Sequence, residues 1–384
     1  MPGVNMKRRF LLLSGGGVVL AASAAVLSGR FASVPAPAVA PWREAGRPEE
    51  MRRRILSYAL LAPNPHNLQP WQADLREPGV ITLRHDPARL LPETDPFSRQ
   101  IMIGHGCFIE LASIAARQFG QRLDVALFPE GEPTRASLDD RPIARLRLVD
   151  GARPDTLFQA ILDRRSVKKP FDVARPVAPE AAGRIIAAAG EAGGAFRVES
   201  APERVARHRD LLARAAELEL RTPAKLKESL DLVRVGYSEI VANPDGIDLG
   251  GPFFETLNML GLMSRASMLD TGSQAFRGQL DSYRALCQGT ASVGWLVTPG
   301  NTRADQITAG RAWMRLTLAA TQAGVSVHPM SQLLQEYREM ADLQREALAL
   351  IGEPNGHVQM LARLGYASPV DPSPRHKVER LIVG

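Results

Sequence analysis

The chain has 384 residues, 45% hydrophobic and 23% charged, a composition that excludes a disordered polymer and leaves room for one large core or two ordinary ones. Its formal net charge is +6, but Lys7, Arg8, Arg9 and Arg30 supply four of those charges before residue 41, where no acid occurs. The +2 that remains, without an arginine stripe interleaved with aromatics, argues against nucleic-acid binding, and two distant cysteines with seven scattered histidines give neither a disulfide framework nor a metal-ligand pair.

Residues 1–40 have the form of an export signal. A basic cluster, Lys7-Arg8-Arg9, precedes Phe10-Leu11-Leu12-Leu13, a glycine-rich apolar run to Leu27 and an Ala/Pro-rich tail, and the run is short for a membrane span. The cluster resembles a twin-arginine signal in which Lys7-Arg8 is the pair, because Phe10 follows Arg9 directly. Ala38-Val39-Ala40 has the small-x-small form of a cleavage site, although Pro41 follows it, and an uncleaved anchor is the alternative. The chain is therefore expected in the periplasm or cell envelope, touching the membrane only through this signal.

The spacing next predicts a basic helix over 49–61, apolar at Ile55, Leu56, Ala59 and Leu60, which feeds the stretch Ala62-Pro63-Asn64-Pro65-His66-Asn67-Leu68-Gln69-Pro70-Trp71. Pro63, Pro65 and Pro70 lack amide donors and restrict the residues before them, so this stretch is a rigid loop that holds polar side chains between two packed elements. Trp71, Ala73 and Leu75, then Ile81 and Leu83 beyond the break Glu77-Pro78-Gly79, predict an antiparallel hairpin. A helix over 98–119, stopped by Gly120, and two strands over 123–128 and 143–149 complete an α+β half at 47–150.

A second half is expected over 155–384. Its first helix, 156–164, runs into Arg164-Arg165-Ser166-Val167-Lys168-Lys169-Pro170-Phe171, where Pro170 ends helical geometry and four cations meet a hydroxyl. Cations at a helix C-terminus complement its dipole by about 0.3–1 kcal/mol each and need no ligand, so the charges alone decide nothing. Alanine-rich helices are predicted over 179–190 and 202–235, then a flexible break over 244–254 and a helix over 254–269 whose Met259, Met263 and Met268 suit a core or a lid over an aromatic ligand. A strand over 291–298, a helix over 308–322, the turn containing His328 and Pro329, a strand over 357–367 and a proline-rich tail to Arg375-His376-Lys377 follow. On an extended segment Arg375 and Lys377 share a side.

The loop pattern Ala-Pro-(Ser/Asn)-x-His-Asn-x-Gln-Pro-Trp resembles the flavin-edge loop of the FMN-binding nitroreductase superfamily, in particular the Acg-type branch with duplicated halves. Arg164 to Phe171 is similar to that family's phosphate motif, with one extra residue before Phe171, and Arg375 with Lys377 is similar to its C-terminal pair of cations. The resemblance implies an α+β fold of two nitroreductase-like halves, antiparallel or mixed sheets flanked by helices, that form a pseudo-dimer within one monomeric chain. It implies FMN as cofactor: Arg164, Arg165, Ser166, Lys168, Arg375 and Lys377 on the phosphate, and Pro63, Asn64, Pro65 and Asn67 at the ring edge. Gln69 with His66 would brace the loop, and His328 and Pro329 would approach the ring. The implied activity passes electrons through flavin from a small-molecule donor, a reduced nicotinamide in the family, to a small aromatic or quinone-like acceptor. Sequestration of FMN without turnover is the alternative, because reduced nicotinamide is scarce outside the cytoplasm. No GxGxxG, GxxxxGK[ST] or GxSxG is present to suggest a Rossmann site, a P-loop or a serine hydrolase.

Overall fold

The computed structural model describes residues 33–136 and 138–383, so most of the expected export signal lies outside the described residues. The fold is α+β. In the first half, α1 (Ala40–Glu44) and α2 (Met51–Ala59) lead to β1 (Trp71–Asp74), β2 (Val80–His85), α3 (Arg99–Gln118), β3 (Gln121–Leu127) and β4 (Ala144–Asp150). In the second, α4 (Pro179–Gly190) and β5 (Ala195–Glu199) are followed by a helical insertion. Then come β8 (Ser292–Thr298), α11 (Arg303–Gln322), β9 (Ser326–Pro329), α12 (Ala341–Ile351) and β10 (His357–Gly365).

The two halves repeat one topology. The first sheet runs β1-β2-β4-β3 and the second β5-β8-β10-β9, so in each a helix follows the second strand and the fourth strand returns between the second and the third. Those helices, α3 and α11, have 20 residues each and cross at glycines that hold the same position in each, Gly106 and Gly310. A Cβ on Gly106 would fall 2.2 Å from the carbonyl oxygen of Ile307, and one on Gly310 2.0 Å from that of Ile103. The backbones therefore touch at the crossing. Arg99 and Arg303, the first residues of the two helices, are both buried and cap the opposite half: Arg99 Nη2 donates to Leu334 O at 2.8 Å, and Arg303 Nη1 to Phe97 O at 2.7 Å. The chain also exchanges its end, because β11 (Ile382–Val383) joins the first sheet parallel to β1.

The insertion between β5 and β8 replaces what is only a turn in the first half. It contains α5 (Pro202–Arg221), α6 (Pro223–Asp231), β6 (Val233–Val235), α7 (Gly236–Ala242), β7 (Ile247–Leu249), α8 (Pro252–Met259), α9 (Arg265–Leu269) and α10 (Gln274–Gln288). Pro223 divides the helix expected over 202–235, with Thr222 extended before it. The helix expected over 254–269 is two short ones separated by Gly261, which has a positive φ of 65°. Met268 is buried and Met263 packs half-buried against the same core of the insertion, while Met259 is exposed, so the stripe is core only in part. The helix expected over 156–164 is a 3-10 turn, Thr156–Ala160. Cys107 and Cys287 are buried and unpaired. Residues 33–40, the end of the expected export signal, belong to the folded body: Ala38 and Val39 are buried, and Ala38 O accepts the Arg375 amide at 2.9 Å.

Candidate functional site

The proline loop between α2 and β1 is held in an unusual backbone path. His66, Asn67 and Gln69 all have positive φ, 49°, 55° and 53°, a region that side chains with a Cβ enter at a cost. Its polar side chains offset that cost by bonding to backbone. Asn64 Oδ1 accepts the Gln69 amide at 2.8 Å; Asn67 Nδ2 donates to Pro374 O at 3.0 Å. Gln69 spans two neighbours, with Nε2 donating to Pro244 O at 2.9 Å and Oε1 accepting the His376 amide at 2.9 Å. Gly246 N donates to Asn67 O at 3.2 Å, and His66 Nε2 lies 3.2 Å from Ser229 Oγ. The amide side chains of Asn64, Asn67 and Gln69 thus fix the loop between the insertion and the C-terminal tail, while Pro63 and Pro65 lie half-buried on it.

Arg375 latches this arrangement. It is 3% exposed, and its five donors are all engaged: Nε with Leu60 O, Nη1 with Asn67 Oδ1 and Pro374 O, and Nη2 with Leu61 O and Ala62 O. With no donor left for a ligand, Arg375 is a structural arginine that adds charge to the site. The expectation that Lys377 faces the same way fails, because Arg375 is drawn into the loop carbonyls while Lys377 is exposed. Lys377 lines a separate cavity of about 290 Å³ with Glu44, Arg47 and Glu379.

Arg164 and Arg165 come to the same place from the second half. Arg164 is 4% exposed, and its guanidinium has no hydrogen-bond or carboxylate partner among the described residues. Burial, then the neighbouring Arg165, lowers its pKa to about 10. Arg165 donates through Nη1 to Leu162 O and Arg164 O, leaving its buried Nε without a partner. Burial and then Arg164, with Arg165 also contributing, lower the Arg375 pKa to about 9, so three guanidinium groups repel one another here. Ser166 bridges to Val327, and Lys168 is exposed, with a charge that depresses the pKa values of both His66 and His328. His328 itself is committed: its Nδ1 accepts Arg363 Nη2 at 2.9 Å, and burial first, then Arg363, hold it well below the usual imidazole range. Pro329, beside it, is half-buried in β9 and pairs with Ala362.

Three contributors carry no motif in the sequence. Trp42 is buried with Arg165 and Arg375 packed on its ring at 4.5 and 5.5 Å, and its Nε1 donates to Ser373 O at 2.8 Å. Arg363 ties the Lys169 carbonyl to His328 and stacks on Phe171. Asp245 joins Arg89, Arg234 and His376 behind the loop, and those partners outweigh the effect of burial to hold its carboxyl well below the usual range.

Buried imidazoles give the fold an acid sensitivity. Burial lowers the pKa of His85 to about 3 and those of His105 and His208 to about 4. Their contribution is complete above the unfolded value of about 6.5 and is lost as pH falls from there towards 4, because the unfolded chain binds those protons first. Burial acts oppositely on Asp95 and Glu219, raised to about 6 and about 7, which favour the folded state as pH falls. At about 1.4 kcal/mol per unit the three histidines outweigh the two carboxyls. The urea midpoint is expected to fall from pH 7 to pH 5, and less steeply in His208→Leu; a flat profile would contradict it.

No family model matches the chain. It is similar to a putative NAD(P)H nitroreductase of Mycobacterium tuberculosis strain H37Rv, 24% identical over 347 residues, which cover 87% of this chain and 91% of the relative. It is similar also to the putative NAD(P)H nitroreductase acg of the same strain, 27% identical over 330 residues, 84% of this chain and 91% of the relative. Among solved structures, the FMN-dependent nitroreductase NfnB from Mycobacterium smegmatis in complex with NADPH is 23% identical and covers 55% of this chain and 86% of its own. Its TM-score of 0.34 is too low to define a shared fold.

Proposed function

We propose that the chain is an exported, FMN-binding oxidoreductase of the nitroreductase type, holding one flavin between its two halves and passing electrons to a small aromatic or quinone-like acceptor. One observation carries the reading: beside Arg375, which latches the rigid loop, the guanidinium of Arg164 and the Nε of Arg165 lie buried without a hydrogen-bond or ion-pair partner among the described residues, with Asp163, Asp371 and Asp248 acting on Arg165 and Arg375 only at a distance. Unpaired buried cations are costly unless an anion completes them, and a phosphate monoester, with nearly two negative charges and several acceptor oxygens, fits that demand. The similarity to nitroreductases over 84–87% of the chain supports the same reading.

The guanidinium of Arg164 and the free Nε of Arg165 would bind the phosphate, with Ser166 as a hydroxyl donor. Arg375, whose donors are spent, contributes charge and keeps the loop in place. Lys168, exposed and with a charge that reaches both His66 and His328, would stabilise negative charge on a reduced ring. His328 is held neutral first by burial and then by Arg363, so it does not compete with Lys168 for that charge. Asn64, Asn67 and Gln69 keep the loop rigid, so the ring edge would meet a surface that needs no reorganisation. Bound flavin supplies the redox chemistry by accepting and releasing a hydride equivalent.

An absorbance spectrum of the purified protein tests the proposal. Flavin bands that bleach on addition of NAD(P)H and return on addition of a quinone are expected. Bands that persist would mean that the chain holds flavin without turnover, and a colourless protein that takes up no FMN would refute the reading. The export part is tested by replacing Arg8 and Arg9 together, which is expected to leave the protein in the cytoplasm.

A further inference from the structure

Helix α8 in the insertion is inside out. Glu255, the one charged residue between 252 and 264, is fully buried and accepts the Tyr237 amide at 2.8 Å, and Thr256 bonds back to Pro252 O. Large apolar side chains on the helix and just past its end are open to water instead: Phe253 is 67% exposed, Met259 57%, Leu260 65% and Leu262 65%. An ordinary surface helix buries its apolar stripe and shows its charges to water. Four large hydrophobic groups exposed within ten residues, with the carboxylate turned inward, are the kind of feature that marks an interaction surface.

Where the folded body meets the rest of the chain indicates what covers this patch. Ser33 lies against the start of α8: a Cβ on Gly250 would fall 2.2 Å from Ser33 O, and one on Gly251 3.6 Å from Ser33 Cα. Upstream of Ser33 the sequence holds the apolar run over 10–27, preceded by Lys7-Arg8-Arg9. A membrane that took up that run would lie within reach of α8, since only residues 28–32 separate the run from Ser33. We propose that the exposed face of α8, with Phe253, Met259, Leu260 and Leu262, seats on a lipid bilayer, so that the membrane contact extends beyond the export signal. The absence of a basic residue between 252 and 264 points to insertion among acyl chains rather than to attraction by anionic headgroups. Each such side chain improves partitioning by roughly ten-fold or more when it leaves water.

Hydrogen exchange of the full chain, with and without phosphatidylcholine vesicles, tests this. Amides over 252–263 are expected to slow by at least about ten-fold on vesicles, to stay fast in the double variant Phe253→Asp with Leu262→Asp, and to slow as in the unaltered chain in Ile186→Asp, which alters an exposed apolar residue elsewhere. A chain that floats with vesicles while these amides stay fast would overturn the proposal, since only the upstream run would then be anchored. Failure to float, or equal slowing in the double variant, would also overturn it. So would slowing that follows protein concentration without vesicles, which would make a second copy the occupant.

Discussion

Gly310→Ala is expected to prevent stable folding, and Gly106→Ala to do nearly the same. The added carbon at position 310 would sit 2.0 Å from Ile103 O, 2.7 Å from Gly106 Cα and 2.8 Å from Cys107 N. All three are backbone atoms inside a helix, so relief requires two 20-residue helices, α3 and α11, to move apart, and with them the contact that joins the halves. Overpacking a core commonly costs about 1–3 kcal/mol when side chains can give way. Here none can, so the loss is expected to exceed ~3 kcal/mol. Gly183→Ala is the control, because a Cβ there meets nothing within 4 Å and the site is helical; it is expected to stabilise by roughly 0.5–1 kcal/mol. Urea unfolding measures both. A Gly310→Ala midpoint equal to that of the control would mean that α3 and α11 do not cross as described.

Arg164→Met is expected to stabilise the flavin-free chain while weakening FMN by roughly ten- to a hundred-fold, the loss that follows when one partner of a charged hydrogen bond is removed. The first effect arises because an uncompensated buried guanidinium is exchanged for an apolar side chain of similar length. The second is confined to the phosphate, so riboflavin affinity should not change. Arg375→Ala is expected to differ. It leaves the carbonyls of Leu60, Leu61 and Ala62 without their donor and releases the loop, so stability falls and both flavins are lost together. Thermal melting with calorimetric titration of the two flavins separates these signatures. Equal loss of FMN and riboflavin in Arg164→Met would assign Arg164 a structural role.

The elements legible in the sequence are those that local chemistry dictates. Pro63, Pro65 and Pro70 force the loop, the alternation on either side of Glu77-Pro78-Gly79 gives the hairpin, and Gly120 closes α3. The run from Arg164 to Phe171 could be singled out because cations at a chain reversal are readable from composition and order. The direction in which Arg375 and Lys377 face was not legible. An extended segment places them on one side, but four carbonyl and amide acceptors from residues more than 300 positions away in the chain, together with Pro374 O, capture only Arg375. Trp42 was hidden for a similar reason: it follows a stretch that reads as the end of a leader, and only the fold brings it onto Arg165. The matched strand orders of the two sheets leave only a sparse trace in residue identity, Arg99 with Arg303 and Gly106 with Gly310, because a repeat of packing needs mainly apolar positions at the right period.

The proposed phosphate-directed site would draw on both halves, with the loop supplied by residues before 150 and the guanidinium groups of Arg164 and Arg165 by residues after 155. Titration of the purified chain with FMN, read by flavin fluorescence and referred to its mass in solution, tests this most directly. Saturation at one FMN per monomeric chain, with riboflavin binding more weakly, is the predicted result. Two FMN per chain, one FMN shared by two chains, or equal affinity for riboflavin would contradict it.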